Sequence, residues 1–148
     1  NGSYQITKEL LMDYQKIIDE RNVRNLYAVA MGIRVTELEP GRAKVVLTAE
    51  KKNLNPLGRV HGGCLFGLAD AACGAAASIY GKAVTLNANY NFLRGAAEGD
   101  TITAEARETK HGRTISVFDI TLTNQTGDVI GTSTMTFYYL PAKPGADA

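Results

Sequence analysis

The stretch that most narrows what this chain can fold into runs from Asn55 to Tyr80, NPLGRVHGGCLFGLADAACGAAASIY. A Pro/Gly loop carrying Asn55 and His61 leads into Gly62 and Gly63. About five helical turns of almost wholly apolar and small residues follow. A helix that is apolar nearly all round must be covered on most of its circumference. Within it stands one carboxylate, Asp70. A carboxylate among alanines is unfavourable to bury unless it is paired or put to use.

The rest of the chain supplies the cover. From Thr7 the spacing of Leu10, Leu11, Tyr14, Ile17 and Ile18 predicts an amphipathic helix, with Thr7 as its N-cap. Asn25 to Ala30 reads as either a short helix or a turn. Met31–Leu38 and Ala43–Ala49 read as a hairpin about Glu39-Pro40-Gly41-Arg42. After Gly81 the period becomes two and stays so. The predicted strands are Ala83–Leu93, Thr101–Thr109, Arg113–Asn124 and Val129–Leu140. In the first of these, Leu86, Ala88, Tyr90 and Phe92 share one face, and Thr85, Asn87, Asn89 and Asn91 the other. Arg113–Asn124 slips phase at Val117-Phe118, which predicts a bulge there or burial on both faces. Helix, two strands, long apolar helix, four strands joined by short turns favours an α+β architecture. One curved antiparallel sheet wraps the central helix, with an additional N-terminal helix outside it. The whole chain, 1–148, reads as one domain, with 1–6 and 141–148 expected to fray.

Composition removes several classes of function. A net charge of +1 without a basic block argues against a nucleic-acid partner. No apolar run is long enough to span a membrane, and no signal peptide is visible. Cys64 and Cys73 lie nine apart on one predicted helix, about 13 Å of rise, too far to be bridged. They read as free buried thiols of a reducing, cytoplasmic compartment. Two histidines and two cysteines make a metal cage an unfavoured reading. G-x-S-x-G, Walker A and G-x-G-x-x-G signatures do not occur.

The chemistry concentrates at the helix start. Free N–H groups of Gly62 and Gly63, with the positive end of the helix dipole, suit a carbonyl oxygen that becomes negative. Asn55 and His61 flank them. Asp70 can act as general base for a water or as nucleophile. It stands nine residues beyond His61, about 13 Å along the axis and on the opposite face. One helix therefore cannot bring both to one reacting atom, and cooperation requires a two-fold homodimer. Each of these residues also has a plainer reading. Asp70 can be a paired helix carboxylate, His61 a cap, Asn55 a turn residue, and Lys110 and Arg113 solvated charge on a hairpin turn.

His61-Gly62-Gly63 followed by Leu68-Ala69-Asp70 resembles the hotdog-fold acyl-CoA thioesterases of the phenylacetate-pathway (PaaI) type. Asn55, six before His61, and the later Asn89–Arg94 and Gly99–Thr101 stretches extend the resemblance over about residues 30 to 140. It implies hydrolysis of an acyl-CoA thioester to a free acid and CoA, with no cofactor, since CoA belongs to the substrate. Gly62 would donate its N–H to the thioester carbonyl, and Asp70 of the partner subunit would attack or activate water. Asn55 and His61 would orient the reactants, Thr85 would assist, and Lys110 and Arg113 become candidates for the CoA phosphates. The resemblance also implies a homotetramer built as a dimer of dimers. A non-catalytic acyl-CoA-binding hotdog module and a related hydratase stay open beside it.

Overall fold

The computed structural model describes residues 12–142. The predicted cap Thr7 lies outside them. Helix α1 (Tyr14–Arg24) has Asp13 as its N-cap, whose carboxylate accepts the Lys16 N–H at 3.0 Å. Asn25 ends α1 and opens α2 (Leu26–Met31), its side chain accepting the Ala28 N–H at 3.2 Å. The stretch that read as helix or turn is thus a helix. It stops at Gly32, whose φ of +83° is the left-handed conformation that glycine adopts without strain.

Six strands follow in one antiparallel sheet: β1 (Arg34–Glu39), β2 (Arg42–Thr48), β3 (Ala83–Phe92), β4 (Thr101–His111), β5 (Ile115–Thr123) and β6 (Val129–Tyr139). Their spatial order is β1-β2-β4-β5-β6-β3. Helix α3 (Gly62–Ser78) packs against all six strands, so the sheet wraps it as the apolar circumference demands. Leu68, Ala69, Ala72, Cys73, Ala75, Ala76 and Ala77 are fully buried under it. They meet the inward residues of β2 (Ala43, Val45, Leu47), β4 (Ile102, Ala104, Ala106) and β5 (Phe118, Ile120, Leu122). This is the hotdog arrangement. Both cysteines are buried and unbridged. No helix among the described residues is long and apolar enough to cross a membrane.

Two expectations about strand phase are corrected. β5 alternates cleanly, and the bulge predicted at Val117-Phe118 sits on the facing strand, where Glu108 pairs with Phe118 and Lys110 with Val117. The extra residue is Thr109. The second correction concerns Thr85. Thr85 pairs with Phe137 and Asn87 with Thr136, leaving Leu86 as a bulge. A bulge re-aims the side chains beside it. Thr85 therefore turns inward with Ala88, Tyr90 and Phe92, onto the helix, and not outward with the asparagines.

β3 is an edge strand, hydrogen-bonded to β6 alone. None of its residues is fully buried. Val84, Leu86 and Phe92 are 46%, 63% and 61% exposed, and Leu93 just beyond is 60% exposed. A ten-residue open edge with that much apolar surface is a template for pairing with another strand.

Candidate active site

The helix start is built by local hydrogen bonding. His61 is the N-cap of α3, and its Nδ1 accepts the Gly63 N–H at 2.8 Å. A ring nitrogen that accepts is unprotonated, so the neutral ring carries its proton on Nε2 and offers only a donor outward. The Cys64 and Leu65 N–H groups go to the His61 carbonyl. The Gly62 N–H is left without a partner among the described residues. A Cβ at Gly62 would stand 3.0 Å from the Phe92 ring, so glycine is what lets β3 close over this point.

Asn55 is both turn residue and site residue. Its Oδ1 accepts the Leu57 and Arg59 N–H groups at 3.0 and 3.1 Å, which shapes the loop and leaves its Nδ2 donors free. Asn55 and Gly62 line one cavity of about 310 Å³ with Arg59, Phe92 and Arg94. His61 lines a different cavity, on the side of Asn53 and Tyr27. Within one protomer Gly62 and Asn55 thus line one cavity and His61 another.

Asp70 lies two turns further along α3 and is half-buried. Thr85 Oγ1 donates to its Oδ1 at 2.6 Å, the contact that the β3 bulge makes possible. So Asp70 and Thr85 form a pair, about 12 Å along the helix axis from Gly62. Lys110 and Arg113 stand exposed at the β4–β5 hairpin and line neither the Gly62 cavity nor the His61 cavity. The cations beside Gly62 are Arg59 and Arg94.

Two residues escaped the sequence reading. Arg21, from α1, lies against α3 at Gly74, where a Cβ would stand 2.9 Å from its Nη2. Gly74 is four residues after Asp70 and so on the same helix face. Burial lowers the proton affinity of Arg21, and the Asp70 charge works in the other direction. The signal was a glycine one turn beyond Asp70 in a run of alanines. Asn53 is buried and bonds to the Glu50 N–H at 2.8 Å and the Met31 carbonyl at 3.0 Å. Its own carbonyl accepts the His61 N–H at 2.7 Å, which anchors the helix start to α2. Tyr90, on the face of β3 that the alternation marked, packs between Phe66 and Phe92. Burial pushes its hydroxyl up to about 12.

Comparison with known proteins bears on this arrangement directly. Residues 57–131, half of the chain, match the thioesterase superfamily. The acyl-coenzyme A thioesterase PaaI of Escherichia coli is 38% identical over 99 residues, 66% of this chain and 71% of that protein. A Deinococcus radiodurans protein named as an esterase is 33% identical over 94 residues, and the match spans 64% of each, just under two thirds. The solved structure of E. coli PaaI superposes with a TM-score of 0.83 at 29% identity, covering 88% of this chain and 95% of that one. A Streptococcus pneumoniae protein named as a hypothetical thioesterase, solved with coenzyme A, gives 0.75 at 27% identity, covering 81% and 96%. Motif, fold and match over half its length agree: the chain belongs to the thioesterase superfamily, as a hotdog-fold member of the PaaI type.

Proposed function

We propose that the protein hydrolyses an acyl-CoA thioester to a free carboxylic acid and CoA, in a site completed by a second copy of the chain. The observation that carries this reading is the separation of the two halves of the chemistry. A free backbone donor, Gly62, and a hydroxyl-held carboxylate, Asp70, lie on one helix about 12 Å apart, beside an open strand edge. Pairing of two β3 edges about a two-fold axis would set the α3 helices side by side and bring Gly62 of one protomer toward Asp70 of the partner subunit.

The roles follow from which atoms are still free. The thioester oxygen accepts from the Gly62 N–H, where the helix dipole favours the charge that grows on it. Asn55 has only its Nδ2 donors left, and neutral His61 only Nε2–H. Neither can take a proton in this geometry. Asp70 is then the acceptor that activates the water or attacks the carbonyl carbon, and Thr85 fixes its orientation. The acyl carbon gains the oxygen of water, the C–S bond breaks, and the CoA thiolate takes up the proton. Arg59 and Arg94, on the rim of the Gly62 cavity, are placed to meet the CoA phosphates. Named CoA chemistry in E. coli PaaI and bound CoA in the S. pneumoniae protein support this reading. A dimer of dimers would need a second surface, and the exposed Val23, Leu26 and Val29 of α1 and α2 provide an apolar one.

The test is release of free CoA, followed with a thiol reagent, over a panel of acyl-CoAs for wild type and Asp70→Asn. Asparagine keeps the shape and removes base and nucleophile. Turnover should fall about a hundredfold or more with the oligomer intact, as for loss of a general base. Inactive wild type that still binds acyl-CoA tightly would make the protein a binding module.

A further inference from the structure

A cavity outside the Gly62 region lies beyond Asp70, between the end of α1, the second half of α3 and the start of β3. It measures about 700 Å³. Arg21, Arg24 and Lys82 line it against a single acidic residue, Glu20. None of these four makes an ion pair with another described residue. The Arg21 Nε is buried and has no hydrogen-bond partner.

The location gives the cavity a direction. Gly74 and Ser78, on its wall, stand about one and two turns beyond Asp70, which is about 6 to 12 Å along α3. An acyl carbonyl held at Asp70 would thus send a short or medium chain into this space. Gly74 is what leaves room there for the Arg21 guanidinium.

We propose that this cavity receives the far end of the acyl group, and that Arg21, Arg24 and Lys82 select acyl chains ending in a carboxylate. Three cations without ion pairs among the described residues and the distance from Asp70 point to the same ligand. A planar carboxylate is the acceptor that suits a guanidinium fork. The inference rests on the hydrolytic reading for its kinetic arm and stands without it for its binding arm.

The kinetic arm compares kcat/KM for adipoyl-CoA and hexanoyl-CoA, which differ only in the terminal carboxylate. Wild type should prefer adipoyl-CoA about tenfold or more, the worth of one charge-assisted hydrogen bond. The ratio should fall toward one in Arg21→Gln. It should fall likewise in the double variant Arg24→Gln/Lys82→Gln, whose exposed side chains can change without disturbing the fold. The binding arm titrates adipate and hexanoate calorimetrically into the same proteins, with adipate the tighter ligand only in wild type. A wild-type ratio at or below one, with adipate bound no better than hexanoate, would overturn the proposal. So would an equal loss on both thioesters in the double variant together with weaker inhibition by free CoA, because the cations would then hold a CoA phosphate. Preferential adipate binding with no turnover of any thioester would support the subsite and sink the hydrolytic reading.

Discussion

Strands β5 and β3 carry similar alternation in sequence and meet opposite fates. In β5 every second residue, from Ser116 through Phe118 and Ile120 to Leu122, is buried, and a neighbour pairs with the strand on each side. In β3 no residue is fully buried, and one whole edge is open. The pattern of β5 is satisfied by the chain's own helix. That of β3 is only half satisfied: its inward residues reach α3 and β6, while Val84 and Leu86 stay largely exposed. The contrast teaches that burial pattern separates a strand that builds the fold from one that builds an assembly, which alternation alone does not.

That contrast breaks most sharply at the edge. The double variant Val84→Lys/Leu86→Lys adds charge where the protomer is already exposed, so folding should be little affected. It should run as a monomer in analytical ultracentrifugation and lose thioester turnover at least as fully as Asp70→Asn. A dimer that retains activity would show that β3 does not pair. The matched change in β5, Ile120→Ala, empties a buried position and should cost about 2–5 kcal/mol in denaturant unfolding. Its oligomeric state should not change.

A smaller effect tests whether the bulge in β3 serves the site. Thr85→Ala removes the 2.6 Å hydrogen bond to Asp70 and should lower kcat about tenfold, with KM little changed. Thr85→Ser should restore most of the rate. Equal rates in all three proteins would show that Thr85 does not orient the carboxylate.

The sequence carried the fold because its two periods are unambiguous. An apolar helix with no polar face must be wrapped, and four successive period-two runs can only be a sheet. What it hid were local irregularities of strand phase. Leu86 and Thr109 each add one residue to a strand, and a single extra residue reverses every side chain on one flank. Thr85 was therefore assigned to the outer face on periodicity, and only the resemblance placed it near Asp70. The helix-start residues were legible because Asn55, His61, Gly62 and Gly63 are close in sequence and act through local hydrogen bonds. Arg21 was not, because its contact with Gly74 spans fifty-three positions, and an arginine on an amphipathic helix reads as solvated charge. Lys110 and Arg113 stand out in sequence for the opposite reason, being clustered at one hairpin turn, whereas Arg59 and Arg94, which line the Asn55–Gly62 cavity, are far apart in sequence.

The smallest expected effect concerns the connection that returns the chain from the open edge at β3 to the buried strand β4. Asp100 holds this loop, accepting the Ala97 N–H at 2.8 Å and a Gln125 side-chain N–H at 3.0 Å. The backbone bond to Ala97 is the main reason its carboxyl sits below the usual range, with the Gln125 bond next. A carboxyl lowered in the folded state contributes stability that is fully present above its unfolded value of about 3.9. That contribution fades as pH falls through the lower folded value. Asp100→Asn keeps an acceptor for Ala97 and removes the titration. Glu37 and Asp128 are lowered as well, so the wild-type acid limb alone does not report on Asp100. The difference in melting temperature between wild type and Asp100→Asn does. It should favour wild type at neutral pH and shrink steadily below about pH 4. A difference independent of pH would mean that the loop between the two regions is held by the shape of the side chain and not by its charge.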